Sequence, residues 1–214
     1  MQLNFLMVKF KTSKKMKNCL IIFTRKPEKG KVKTRLAQGV GDDKTLKIYK
    51  FLLQHTAKVT AKVKAHKQVY YTEAIAKNDV WDDNIFEKKV QIDGDLGEKM
   101  QHAIEQAFQD GFEKVIIIGS DLYDIDHNLI DKAFAELSQN DIVIGPATDG
   151  GYYLLGTKSI FSEIFKNKPW GTDEVLNLTL KNLKSKQVAL LEAKNDIDYK
   201  EDLDNFPELK TLLK

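Results

Sequence analysis

The chain has 214 residues, 42% of them hydrophobic, a formal net charge of +3 and a single cysteine. That is enough apolar material for one sizeable core. The lone Cys19 excludes an internal disulfide and a cysteine-based zinc site, and the near-balanced charge offers no general attraction for nucleic acid.

Residues 1–17 mix apolar positions with Asn4 and several lysines. They lack the charge-first order and small-residue cleavage site of a signal peptide, so they read as a tail or extra strand ahead of a domain over residues 18–214. No run approaches the ~18 apolar residues of a spanning helix, and a soluble, cytoplasmic protein without membrane or nucleic-acid partners is expected.

The apolar run from Asn18 to Thr24 predicts a buried strand. It delivers the stretch TRKPEKGKVKTRL, Thr24 to Leu36, in which Arg25, Lys26, Lys29, Lys31, Lys33 and Arg35 face one acid, Glu28. Both of the chain's arginines are here. An arginine fork binds phosphate bidentately where lysine offers a point charge. Pro27 stiffens the path and Gly30 allows close backbone approach. A phosphate site is one reading, and a mobile, solvated basic loop is the other. The spacing matches neither a Walker A loop nor a dinucleotide-binding GxGxxG.

Next, Asp42 or Asp43 can cap a long helix carrying Ile48, Phe51, Leu52, His55, Val59 and Val63 on one face. Lys67 to Thr72 and Phe86 to Ile92 predict short strands. In GDLGEKMQHAIEQAFQDG, Asp95 and Glu98 have capping-box spacing, Leu96, Met100, Ala103, Ile104, Ala107 and Phe108 make one face, and Gly111 ends the helix. KVIIIG, Lys114 to Gly119, is the cleanest strand, followed at once by Ser120 and Asp121. A helix around Leu129 to Leu137, a strand from Asp141 to Gly145, the strand YYLLGT and a helix from Thr172 to about Lys184 complete the pattern. Continuous apolar strands alternating with helices predict a mainly parallel sheet covered on both faces, whose ligands sit outside the carboxyl ends of the strands. That rule brings the basic loop and Asp121 together.

Asp121 at a strand end could hold magnesium or manganese against nucleotide phosphates, or cap the following turn. Asp149, before Gly150 and Gly151, lies in either a ligand-approaching turn or an ordinary hairpin. Asp196 and Asp198 could add a metal ligand or favour a helix N-terminus. His55, His66, His102 and His127 show no ligand spacing, and no nucleophile elbow or Cys/His signature occurs.

Taken in order, TRKPEKGKVKTRL, GDLGEKM, IIIGSD, GPATDGGYYLLG, PWGTDEVL and NDIDYKEDL resemble the nucleotide-diphospho-sugar transferase-like family of GT-A fold, the radical-SAM/selenodomain-associated transferases, over about residues 18–206. That family is similar to the guanylyltransferases of molybdenum-cofactor and deazaflavin-cofactor synthesis. The resemblance implies a single-domain, three-layer α/β/α sandwich and a divalent metal, Mg or Mn. It implies that Arg25, Lys26, Gly30, Lys33, Thr34 and Arg35 contact nucleotide phosphates, with Asp95 and Gly97 near the nucleotide. Asp121 and Asp198 would hold the metal, and Gly150, Gly151, Trp170 and Thr172 would lie near the acceptor, with Asp149 a candidate catalytic base. Its substrates would be a nucleotide sugar or a nucleoside triphosphate and a small-molecule acceptor. Glycosyl transfer, nucleotidyl transfer with loss of pyrophosphate, and a non-catalytic nucleotide-binding module are the three functional readings. Leu122-Tyr123 stands where the family usually has Cys-Pro, and Lys99 where it usually has Arg, so the acceptor does not carry over.

Overall fold

A computed structural model of the chain describes residues 16–213, so the tail or strand expected at residues 1–17 lies almost wholly outside the described residues. In chain order the regular elements are β1 (Asn18–Thr24), α1 (Thr34–Val40), α2 (Asp42–Thr60), β2 (His66–Tyr71), β3 (Phe86–Val90), α3 (Leu96–Gln109), β4 (Lys114–Ile118), α4 (His127–Glu136), β5 (Ile142–Pro146), β6 (Tyr152–Thr157), α5 (Val175–Asn182), β7 (Val188–Leu190) and α6 (Pro207–Lys210). The strands form one sheet of order β3-β2-β1-β4-β6-β5-β7. All neighbours are parallel except those involving β6, which runs against both β4 and β5.

Alternation along each strand divides the core into two layers. Leu20, Ile22, Ile116 and Ile118 meet Tyr49, Leu53 and Ala57 of α2 and Ile130, Ala133 and Phe134 of α4. Cys19, Ile21, Val115 and Ile117 point the other way, onto Met100, Ala103, Ile104 and Ala107 of α3 and onto Leu176 and Leu180 of α5. The result is the expected α/β/α sandwich. Cys19 is fully enclosed, and burial pushes its thiol up to about 12, so it is packing material without nucleophilic character.

The sheet order reverses direction between β1 and β4: from β1 the chain moves outward to β2 and β3, then returns to β4 on the other side. At such a switch point the loops leaving two neighbouring strands part and leave a crevice. The basic loop leaves β1 and Asp121 leaves β4 at that place.

The capping box at α3 forms as the sequence predicts, with Asp95 accepting from the Glu98 N–H and Glu98 from the Asp95 N–H, each at 2.9 Å. Three expectations change. Gly41, in the left-handed region at φ 83°, precedes α2, and Asp42 and Asp43 lie in the first turn without a side-chain cap; their charge still suits the helix N-terminus. Helix α5 starts at Val175 and not at Thr172, because the Thr172 hydroxyl donates to the Pro169 carbonyl at 2.9 Å and holds the preceding residues in turns. Finally, α2 is buried on two sides. Ile48 and Leu52 pack with Leu36, Ile197, Leu203 and Leu209 in a third cluster, built when the C-terminal segment folds back over α1 and α2. Among the described residues no helix is long and apolar enough to cross a membrane.

Candidate active site

The six basic residues of the first loop divide into two groups. Lys26 and Lys31 both pair with Glu28, at 3.0 and 2.7 Å, and Lys29 pairs with Asp43 at 2.7 Å, all on the outer surface. Arg25, Lys33 and Arg35 face the crevice. The start of the loop is anchored by Tyr49 of α2, whose hydroxyl accepts from the Arg25 N–H at 3.3 Å and donates to the Arg25 carbonyl at 3.1 Å. Gly30 turns the loop at φ 75°, a conformation that costs glycine little. Lys33, at the N-cap of α1, adopts φ 45°, a left-handed conformation in a non-glycine residue that costs of order 1 kcal/mol or more and is retained where surroundings enforce it.

Those surroundings are carboxylates. The Lys33 ammonium lies 2.7 Å from Asp121 Oδ2, 2.8 Å from Asp198 Oδ1 and 3.8 Å from Asp196 Oδ2, and its side chain is only 6% exposed. Burial pulls its pKa down, but Asp121 and Asp198 outweigh that and hold it above the usual lysine value. Burial likewise pushes Asp121 up, and the Lys33 ammonium, with Arg25 further off, reverses the sign and holds the carboxyl below its ordinary value. Asp196 goes the other way. Burial, reinforced by Asp198, Asp121 and Asp149 and only partly opposed by Lys33, pushes it up to about 6.

Asp198 reaches the loop because Ile197 beside it is fully buried in the third cluster, a contact that stabilises by about 1.5–3 kcal/mol. Its second oxygen lies 3.4 Å from Arg35 Nη1, and the Arg35 guanidinium sits 5.7 Å over the Tyr199 ring. Asp202 accepts from the Asp198 and Tyr199 N–H groups at 2.9 and 2.6 Å and fixes this turn. Among the described residues, no three or more His, Cys, Asp or Glu side chains form a ready-made metal cage.

Two cavities meet at Asp121 and Asp196. The first, about 700 Å³, is lined by Arg25, Lys33, Thr34, Arg35 and Lys99 together with Asp198. The second, about 270 Å³, is mostly apolar: Phe23, Met100, Leu122, Trp170 and Val175 form much of its wall. Phe23, Leu96 and Gly119 border both, as do the two aspartates. Of the residues expected near an acceptor, Asp149, Gly151, Trp170 and Thr172 line the second cavity. The Asp149 carboxylate accepts from the Gly151 N–H at 2.9 Å. Gly150 stands behind this turn at φ 87°, and a Cβ there would lie 2.2 Å from the Asp173 carbonyl oxygen.

Lys26, Gly30, Asp95 and Gly97 border neither cavity. Lys26 is engaged by Glu28 and Asp95 by the helix cap, while Gly97 abuts the Phe165 carbonyl and Trp170. Helix α3 reaches the basic cavity through Leu96 and Lys99 instead. Asp196, bordering both cavities, is the residue that motif reading undervalued. The sequence offers it alongside Asp198 as a possible metal ligand, but the family resemblance carries over Asp198 alone. The departure at Leu122-Tyr123 also divides: Leu122 lines the apolar cavity, whereas Tyr123 turns away into an aromatic group with Phe51, His55 and Phe206.

No curated protein matches the chain in sequence. The family described as an uncharacterized protein conserved in bacteria, DUF2064, matches residues 55–172. Among solved structures, a Desulfovibrio desulfuricans G20 protein assigned as a nucleotide-diphospho-sugar transferase is 30% identical, with a TM-score of 0.83 over 92% of this chain and 97% of that one. CMP:2-keto-3-deoxy-manno-octonic acid synthetase, solved with CTP, is 10% identical at a TM-score of 0.55, covering 91% and 98%. Rv0371C from Mycobacterium tuberculosis H37Rv, solved with manganese, is 13% identical at 0.54, covering 90% and 98%. These last two share the fold alone. With more than half its length matched and this close structural relative, the chain belongs to the DUF2064 family and has the fold of the GT-A nucleotide-diphospho-sugar transferases.

Proposed function

We propose that the protein is a metal-dependent transferase that takes a glycosyl group from a nucleotide-diphospho-sugar. The single observation that carries this reading is the pair of cavities, one basic and one apolar, meeting at Asp121. A donor diphosphate needs cations, and an acceptor needs a separate chamber opening on the same point. The assignment of the Desulfovibrio relative supports the same class of donor.

The carboxylates fit a divalent ion, since Asp121 and Asp198 already converge on one cation, the Lys33 ammonium, at 2.7 and 2.8 Å. Magnesium or manganese is held by one or two carboxylates and completes its shell with phosphate oxygens and water. Bound there, it would neutralise charge on the donor diphosphate. In the transfer itself the acceptor hydroxyl oxygen attacks the anomeric carbon, and the bond from that carbon to the diphosphate oxygen breaks with its electron pair leaving on the diphosphate. The hydroxyl proton passes to the Asp149 carboxylate. Arg25, Lys33 and Arg35 offset the charge that grows on the leaving group, and stabilising developing charge accelerates the step.

Incubation with Mg²⁺ or Mn²⁺ and a panel of nucleotide sugars and nucleoside triphosphates tests this reading. Acceptor-dependent release of nucleoside diphosphate supports it. Release of pyrophosphate from a triphosphate would replace it with nucleotidyl transfer, a reading that the fold shared with the CTP-bound synthetase favours. Tight nucleotide binding without turnover across the panel would leave a binding module.

Arg35→Lys keeps the charge but loses the planar fork and its packing over Tyr199. Donor affinity should fall by about 1–3 kcal/mol as a charge-assisted contact is lost, read by isothermal titration with a nucleoside diphosphate. Unchanged affinity would remove Arg35 from the donor site.

A further inference from the structure

We propose that the apolar cavity selects an acceptor with a ring-sized apolar body and no negative charge, and that it turns anionic acceptors away. This rests on the reading of the basic cavity as the donor side.

The first ground is the sign of the charge. Among the described residues, Asp121, Asp149 and Asp196 are the only charged side chains that border the apolar cavity, and no Lys, Arg or His does. Lys33 lies at the far side of Asp121, where it serves the basic cavity. A carboxylate or phosphate entering the apolar chamber would leave water to face Asp149, for which no ion pair is found among the described residues. The Lys33 ammonium that offsets Asp121 and Asp196 lies on the donor side, and this is a ground for rejection.

The second ground is shape and chemistry. Met100, Leu122, Trp170 and Val175 present apolar surface, with Met100 adaptable to an irregular ligand. The cavity is about 270 Å³, near the small end of ligand sites. The third ground is the aromatic wall: the Tyr152 and Trp170 rings meet edge-on at 6.4 Å and both residues line this chamber, so a ligand ring finds aromatic surface to pack on.

The test uses three probes with one body and three charges: phenethylamine, 2-phenylethanol and phenylacetate. Titration calorimetry on the wild-type protein gives affinities, and tryptophan emission locates binding, because the second tryptophan, Trp81, lies buried in a different cluster. The amine and the alcohol are expected to bind, with an emission change absent from Trp170→Phe. Phenylacetate should bind at least about tenfold more weakly, like charge opposing it. Asp149→Asn, whose amide oxygen can still accept the turn hydrogen bond, should narrow the gap between amine and acid. Phenylacetate binding as tightly as the amine overturns the proposal, and so does silence from all three probes. Nucleoside diphosphate binding measured separately keeps the two readings apart: nucleotide bound with the aromatic probes silent removes this proposal and leaves the donor reading standing, while the reverse result removes the donor reading.

Discussion

Lys33→Ala is expected to respond to Mn²⁺ far more strongly than the wild-type protein, and to be less stable without it. In the wild type a nearly buried ammonium lies between Asp121 and Asp198 and close to Asp196. A divalent cation drawn to the same carboxylates must compete with that ammonium, so metal alone binds poorly. Removing the ammonium leaves three acids with no buried partner. Breaking a fully buried pair costs about 3–5 kcal/mol, but Asp121 and Asp198 are 37% and 27% exposed, so the loss here should be nearer ~2 kcal/mol once water screens part of the repulsion. Mn²⁺ should then restore much of the stability, because binding to the folded state alone stabilises it. The check is the unfolding midpoint of both proteins with and without Mn²⁺. An equal metal-induced shift in the two would mean that Lys33 and the metal do not share a place. Donor affinity should fall in the same variant, since Lys33 also lines the basic cavity.

Gly97→Ala is expected to destabilise the fold by about 2–3 kcal/mol through overpacking. A Cβ on Gly97 would lie 2.1 Å from the Phe165 carbonyl oxygen and 2.8 Å from Trp170 Cζ2. The first neighbour is backbone and cannot rotate aside, so the start of α3 and the segment carrying Trp170 must separate. Asp95→Ala is the matched comparison, because it removes only the cap and should cost about 1 kcal/mol. Urea unfolding of both variants orders the two effects. If Gly97→Ala matched the wild type in stability, this helix start could not be packed against Phe165. The substitution should also disturb both cavities, since Leu96 and Lys99 on one side of the contact and Trp170 on the other form their walls.

Much of this site could be read in the chain before folding. The apolar runs of β1 and β4 read as buried strands of one mainly parallel sheet, and the rule for open parallel sheets brought Asp121 to the basic loop; that the two strands are neighbours came from the structure. The resemblance across six motifs supplied Asp198, whose carboxylate does meet Lys33 from 165 residues away in sequence. Other features stayed hidden. Counting six cations in one loop could not tell that Glu28 and Asp43 would engage three of them, because pairing depends on where the loop turns. Nor could the stripe read on α2, whose Ile48, Phe51 and Leu52 pack with Ile197, Leu203 and Leu209, reveal that Tyr49, Leu53 and Ala57 form a second buried face against the sheet.

The sequence by itself determined what depends on neighbours along the chain: the buried strands, the Asp95–Glu98 capping box, the glycine turn at Gly30 and the local excess of positive charge. Tertiary structure alone decided the division of labour. Burial and the approach of distant carboxylates selected Lys33 from among six basic residues as the enclosed cation. The same convergence pushed Asp196 up while holding Asp121 down, though both are ordinary aspartates in sequence. Electrostatic energy depends on distance and on the surrounding medium, and neither is set until the two ends of the domain have folded onto each other.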